Sequence, residues 1–268
     1  MELTCSYLTL AGCGHEGKPM HALDTRAYAA LMAGFSSIGA GPSDTNLDPH
    51  VLKNMQALGQ VTELEWFEMG DPNWAELNEL FQFADKLGTV NCLKVGVCKS
   101  DRNGSEAEVL RTVAKRAADH GIRVTVEPVA WGAFPTIDDV LNLMNEAGGR
   151  NMGLLYDTWQ VYYHERKLPI VDPELISSIE ISGTREGQAP STNREQILAQ
   201  AMNRTWPNAG IDTADIRSFL SSTIELGYRG PIGVEVPTEV FTEGRETVTD
   251  EAYSAHNSLA AVICDACS

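Results

Sequence analysis

A chain of 268 residues with 43% hydrophobic residues can bury a large core, and its length is ordinary for one α/β barrel of about 250 residues. Its formal net charge of −17 repels phosphates, which excludes non-specific binding to nucleic acid or to an anionic membrane surface but not a small anionic substrate. No apolar run approaches the roughly 18 residues of a membrane span, the six cysteines have no disulfide-framework spacing, and Met1-Glu2-Leu3-Thr4 lacks a basic leader, so a cytoplasmic location is expected.

In chain order, short apolar runs alternate with amphipathic stretches. Strands are predicted over 3–9, 36–40, 61–67, 91–97, 123–127, 152–157, 177–182 and 231–236. Helices are predicted over 24–33, 48–57, 73–87, 105–120, 136–147, 212–226 and 248–264, with a less regular stretch after strand six. Asp24 and Asp212 are expected to cap helix N-termini, and Pro49 to occupy a first turn after Asp48. Gly34, Gly88, Gly121 and Gly227 follow helices where a left-handed residue ends the element. Eight strand–helix repeats imply a parallel sheet. An open, doubly wound sheet would need a glycine-rich phosphate loop after strand one, and Leu10-Ala11-Gly12-Cys13-Gly14 lacks its third glycine. The expectation is a single closed (β/α)8 TIM barrel over residues 1–268. One insertion, at 183–210 between strand seven and its helix, carries a short predicted helix at 194–202.

Four acids stand at or near the ends of predicted strands: Glu127, Asp157, Glu180 and Glu235. Acidic side chains disfavour strand interiors, and an unpaired buried carboxylate costs several kcal/mol or changes its protonation. Side chains alternate along a strand. With Ile179 and Ile181 facing the helices, Glu180 faces the barrel interior. Val234 and Val236 place Glu235 inward in the same way, and Val124 and Val126 place Glu127 inward. The acids therefore converge near the C-terminal end of the barrel, where this architecture keeps its sites. An all-oxygen set suits one hard divalent cation, Mn²⁺ or Mg²⁺.

These residues bring a family into view. Val126-Glu127-Pro128, Tyr156-Asp157-Thr158 and, most specifically, Gly227-Tyr228-Arg229-Gly230-Pro231-Ile232-Gly233-Val234-Glu235 resemble the sugar phosphate isomerase and epimerase superfamily with a xylose-isomerase-like barrel. Arg204-Thr205-Trp206-Pro207-Asn208-Ala209-Gly210-Ile211-Asp212 resembles that family's Arg- and Gly-containing loop, with Asn208 in place of its first glycine. The resemblance implies that Glu127 and Glu235 are metal ligands and the acid–base pair, with Asp157 a further ligand. It implies proton transfer next to a carbonyl through an enediolate, and pairing of copies through the catalytic-face loops. Two positions depart from the family pattern: Gln160 stands where many relatives carry a histidine, and Glu180 where they usually place a metal-binding histidine.

Further candidates for substrate binding are Lys94, inward by parity, His15 in a Gly-rich loop, His164 beyond strand six, Gln160 and Arg204. Trp131, Trp159 and Trp206 fall on the catalytic face, where aromatic rings stack on sugars and other rings. The reading is a divalent-metal-dependent isomerase or epimerase of a small polyhydroxylated carbonyl compound. One alternative is a lyase that dehydrates a cyclic keto-polyol or a glycoside-derived substrate. Another class is a barrel that has lost catalysis and serves as a ligand-binding or partner subunit.

Overall fold

The computed structural model of the chain describes residues 2–13, 17–67 and 69–267. Its elements run β1 (Leu3–Cys5), α1 (Tyr7–Ala11), α2 (Leu23–Ala33), β2 (Ser37–Ala40), α3 (Pro49–Leu58), β3 (Val61–Trp66), α4 (Trp74–Leu87), β4 (Cys92–Val95), α5 (Glu106–Asp119) and β5 (Arg123–Val126). They continue α6 (Ile137–Glu146), β6 (Met152–Asp157), α7 (Thr158–Glu165), β7 (Ile176–Ile181), α8 (Arg194–Ala201), α9 (Thr213–Glu225), β8 (Ile232–Val234), α10 (Glu239–Thr242) and α11 (Val248–Ala266). The strands pair in parallel in chain order, and β8 closes on β1 as a (β/α)8 barrel. None of the described helices is long and apolar enough to cross a membrane.

The alternation read from sequence is realised in the packing. Leu64, Trp66, Leu93, Val95, Val124, Val126, Leu154, Tyr156, Ile179, Ile181, Ile232 and Val234 all join the apolar layer between strands and helices. Tyr156, for instance, stacks on Phe219 of α9 with ring centroids 4.2 Å apart. The opposite parity faces the barrel axis. Along the ladder Asp157 pairs with Glu180 and Glu180 with Gly233, so strands six to eight meet at one level. A register shift between Leu154 and Leu155 produces that alignment.

Several local expectations change. The first strand stops at Cys5, and Tyr7–Ala11 is helical, ending at Gly12 with φ 66°. Thr9 takes over there: its hydroxyl donates to the Val234 carbonyl at 2.8 Å and accepts from Val236 N at 3.0 Å, so strand edge β8 stays hydrogen-bonded above the end of β1. The stretch after strand six is a regular helix, α7, because Asp157 caps it by accepting from Trp159 N and Gln160 N. Asp24 lies inside the first turn of α2 rather than at its cap. Asp212 stands at the N-cap of α9 but turns its carboxylate to Thr184, accepting from its N at 2.8 Å and its hydroxyl at 2.7 Å. It thereby ties the long insertion to α9. Asp48 does cap α3, through His50 N.

The insertion at 183–210 carries the expected helix, α8. Gly183 and Thr205 form an antiparallel bridge that doubles the loop back over the top of β7. A Cβ on Gly183 would lie 2.7 Å from the Trp206 carbonyl oxygen, so only glycine allows this approach. The bridge delivers Arg204 to the mouth of the barrel.

Candidate metal centre

Each of the four acids is set by its strand. Asp157 closes β6 and Glu180 lies in β7. Glu127 and Glu235 follow β5 and β8, still held in ladder register by Glu127 N donating to Val95 O (2.9 Å) and Glu235 N to Ile181 O (3.2 Å). All four side chains are buried, and each offers a carboxylate oxygen within 4.8 Å of the others. The cluster is not self-sufficient. Glu127 Oε1 and Glu180 Oε2 are buried and accept no hydrogen bond from the described residues. Buried carboxylate oxygens without a donor are costly unless a cation satisfies them. An all-oxygen donor set of this kind fits a hard divalent ion better than a soft one. Glu127, Asp157, Glu180 and Glu235 are the residues that fit such an ion.

Two basic side chains share the cavity. Arg204 Nη1 donates to Asp157 Oδ2 at 2.7 Å and lies 3.0 Å from Glu235 Oε2, 3.1 Å from Ser182 Oγ and 3.3 Å from the Glu235 carbonyl oxygen. Its guanidinium rests over Trp159, 5.0 Å from the ring centroid. Lys94 reaches inward from β4 to Glu63 Oε1 at 2.7 Å and Ser6 Oγ at 3.0 Å, sits 3.7 Å from Glu65 Oε1, and makes a close ion pair with Glu180. Six buried acids thus face two bases within the barrel.

That imbalance governs protonation. Burial pushes Glu127 well above the carboxylate range, helped by the charges of Asp157 and Glu180. Burial does the same to Glu235, with Glu180 adding to it and Arg204 opposing. Burial raises Glu63 to about 7 against the relief given by Lys94, and Glu65 to about 8. For Lys94, burial favours the neutral amine, but Glu180, Glu63, Glu65 and Glu235 outweigh it and hold the ammonium well above its ordinary range.

A pH dependence follows. Glu63 and Glu65, together with Glu251 (raised by burial to about 8), have folded values above their ordinary 4.5. Between 4.5 and 8 the folded state therefore holds more protons than the unfolded state, and stability falls as pH rises. Metal-free protein is expected to melt at a lower temperature at pH 8 than at pH 5, measured by thermal unfolding. Glu251→Gln, outside the four-acid cluster, is expected to flatten part of that slope, because burial and the neighbouring Glu246 raise this carboxyl while the Thr238 hydroxyl, donating to it at 2.6 Å, only partly offsets them.

The remaining sequence candidates fall in distinct places. Gln160 is buried, with Oε1 accepting from Ala130 N at 2.9 Å. Trp131 and Trp159 belong to one buried apolar cluster with Tyr163 and Ile197, and Trp159 backs Arg204. Trp206 is half-buried against the main core. His164 is exposed and bonds the Ala130 carbonyl through Nε2 at 2.8 Å. His15 lies outside the described residues. Three side chains that converge here were not among the candidates: Glu63, Glu65 and Ser6. The two glutamates carried a signal, since Glu63-Leu64-Glu65-Trp66 alternates acid with apolar residues just as strand seven does. Ser6 follows Cys5, which packs in the core, so alternation along the expected strand over 3–9 also turns it inward.

A parallel eight-stranded barrel with buried acids at the C-terminal ends of its strands defines a class of (β/α)8 proteins with an acidic group that could hold a metal ion. The chain belongs to the xylose isomerase-like TIM barrel family, whose model matches residues 71–258. Among curated proteins it is 29% identical over 168 residues to the 3-dehydroshikimate dehydratase of Pseudomonas aeruginosa and 27% identical over 168 residues to that of Pseudomonas putida. Each match covers 60% of this chain but only 25% of the relative's length. Among solved structures, an IOLI protein with a binding zinc atom superposes with a TM-score of 0.77 at 17% identity, over 98% of both chains. That likeness is one of fold.

Proposed function

We propose that the chain is a divalent-metal-dependent enzyme that removes the proton next to a carbonyl of a polyhydroxylated compound, and that it then expels the β-hydroxyl as water. The substrate class is a cyclic keto-polyol of the 3-dehydroshikimate kind. The observation that carries the reading is the buried four-acid cluster whose Glu127 Oε1 and Glu180 Oε2 have no partner among the described residues. The two curated relatives named as dehydratases support the choice of lyase.

When bound, a divalent cation supplies a Lewis acid that polarises the carbonyl and lowers the cost of removing its α-proton. Glu127, Asp157, Glu180 and Glu235 would hold it. Glu127 takes the α-proton; the C–H electron pair becomes a C=C bond and the β C–O bond breaks. Glu235 gives its proton to the departing hydroxyl, so water leaves and the ring gains an unsaturated carbonyl. Burial favours the protonated form of Glu235, which suits it to donate, whereas Glu127 must be ionised to accept, a form that a cation beside it would favour. Arg204 keeps Asp157 and Glu235 in place. Gln160, fixed by Ala130 N, presents its amide donors to a substrate oxygen.

A second reading, isomerisation or epimerisation, is favoured by the same pair. Two glutamates at the ends of different strands, one ionised and one protonated, can take a proton on one side and return it from the other. The two readings separate in one experiment. Protein loaded with Mn²⁺ is incubated in D₂O with 3-dehydroshikimate and, separately, with keto-hexoses, and followed by NMR and by ultraviolet absorbance. Loss of water with growth of the unsaturated product supports the dehydratase. Deuterium uptake at the α-carbon without water loss supports the epimerase. No exchange with either substrate class overturns α-proton chemistry.

A further inference from the structure

The acids of the barrel form two groups, and Glu180 belongs to both. The first is Glu127, Asp157, Glu180 and Glu235; the second is Glu63, Glu65 and Glu180, whose carboxylate oxygens also come within 4.8 Å of one another. Three buried carboxylates so close together repel one another and each loses its hydration, so they require a cation. The chain places its own there. Lys94 Nζ lies 2.7 Å from Glu63 Oε1 and 3.7 Å from Glu65 Oε1, and is in close contact with Glu180 Oε1.

The division of Glu180 is by atom. Oε1 meets Lys94 and the Ser6 hydroxyl, whereas Oε2 accepts nothing from the described residues. The space for this arrangement is built into the backbone. A Cβ on Gly39 would come within 2.8 Å of Glu63 Oε1, and one on Gly233 within 3.2 Å of Ser6 Oγ and 3.5 Å of Glu180 Cγ. Both glycines leave room for the side chains around the ammonium.

We propose that Lys94 is a resident cation standing where a second metal ion would otherwise bind, so that the barrel holds one divalent ion and Glu180 is shared between that ion and the ammonium. Lys94 is thus a positioning residue that sets metal stoichiometry. The inference rests on the metal reading of the first group given above. It accounts for a glutamate at position 180: an acid with two oxygens can serve an ion and an ammonium at once, which an imidazole bound to metal through one nitrogen cannot.

The test uses the whole chain. Wild type and Lys94→Met are exchanged against Mn²⁺, desalted and measured for manganese per chain by elemental analysis and for spin coupling by electron paramagnetic resonance. Wild type is expected to hold one ion with an isolated-ion spectrum. Lys94→Met is expected to hold two, with the coupled spectrum of ions bridged by Glu180. The double variant Lys94→Met with Glu63→Gln should fall back to one. One ion in both wild type and Lys94→Met overturns the inference and leaves the metal centre intact. No ion in wild type overturns the metal centre as well. If Lys94→Met fails to fold, wild type at a large excess of Mn²⁺ still decides: saturation at one ion supports the proposal, and a second tightly bound ion overturns it.

Discussion

Glu127→Gln is expected to reduce turnover about 10²- to 10⁴-fold, the range typical of losing a positioned acid or base, while raising the stability of the metal-free protein. The two effects have one origin. Among the described residues Glu127 Oε1 has no hydrogen-bond partner, and burial together with Asp157 and Glu180 makes its ionisation unfavourable. Its folded value lies above its unfolded one, so at neutral pH the folded state is penalised for keeping it. A neutral amide of the same shape removes that penalty and also removes the carboxylate proposed to take the α-proton. Sites that hold strained charge for chemistry commonly trade stability in this way. Steady-state kinetics on the substrate identified by the exchange experiment measures the first effect, and denaturant unfolding of metal-free protein the second. A variant that is less stable than wild type without metal would contradict the account of Glu127 as an uncompensated acid.

Arg204→Met carries the opposite signature. Arg204 is the direct cationic partner of Asp157 and Glu235, at 2.7 and 3.0 Å, and these pairs tie the insertion to β6 and to the end of β8, while its Nε donates within the insertion to the Ala201 carbonyl at 3.1 Å. Removing one member of a buried pair typically costs 3–5 kcal/mol, roughly, because the other charge is stranded. Here two carboxylates are stranded by one substitution. Metal-free Arg204→Met is therefore expected to lose about 3–5 kcal/mol of stability by denaturant unfolding. Saturating Mn²⁺ should recover much of the loss, since an ion that binds only the folded state stabilises it by mass action and its charge replaces the guanidinium beside those acids. An equal loss with and without Mn²⁺ would mean that Arg204 acts through loop anchoring rather than through the acids.

How much of this the sequence revealed depends on whether the determining contacts were local. The barrel was legible because each strand buries one parity against helices. Ile179 and Ile181, or Val234 and Val236, announce their neighbours' inward direction without any knowledge of the partner strand. The same rule applied to Val61–Trp66 would have added Glu63 and Glu65. The early end of β1 was hidden for a different reason: Thr9, a helical residue, takes over the hydrogen bonds of Val234 and Val236. That exchange spans the whole chain and leaves no local trace. The pairing of Arg204 with Asp157 and Glu235 was equally illegible, because it depends on the Gly183–Thr205 bridge that folds the insertion back. Asp212 misled for a related reason, since its capping chemistry was diverted to Thr184 across the loop.

The central claim is that the buried acids hold one divalent ion. Metal content by elemental analysis, on wild type and on Glu180→Gln after exchange against Mn²⁺, tests it most directly. Wild type is expected to hold close to one ion per chain and the variant to retain it more weakly, because the amide lacks the negative charge that Glu180 offers at its unpartnered Oε2. Wild type that retains no metal under these conditions would contradict it.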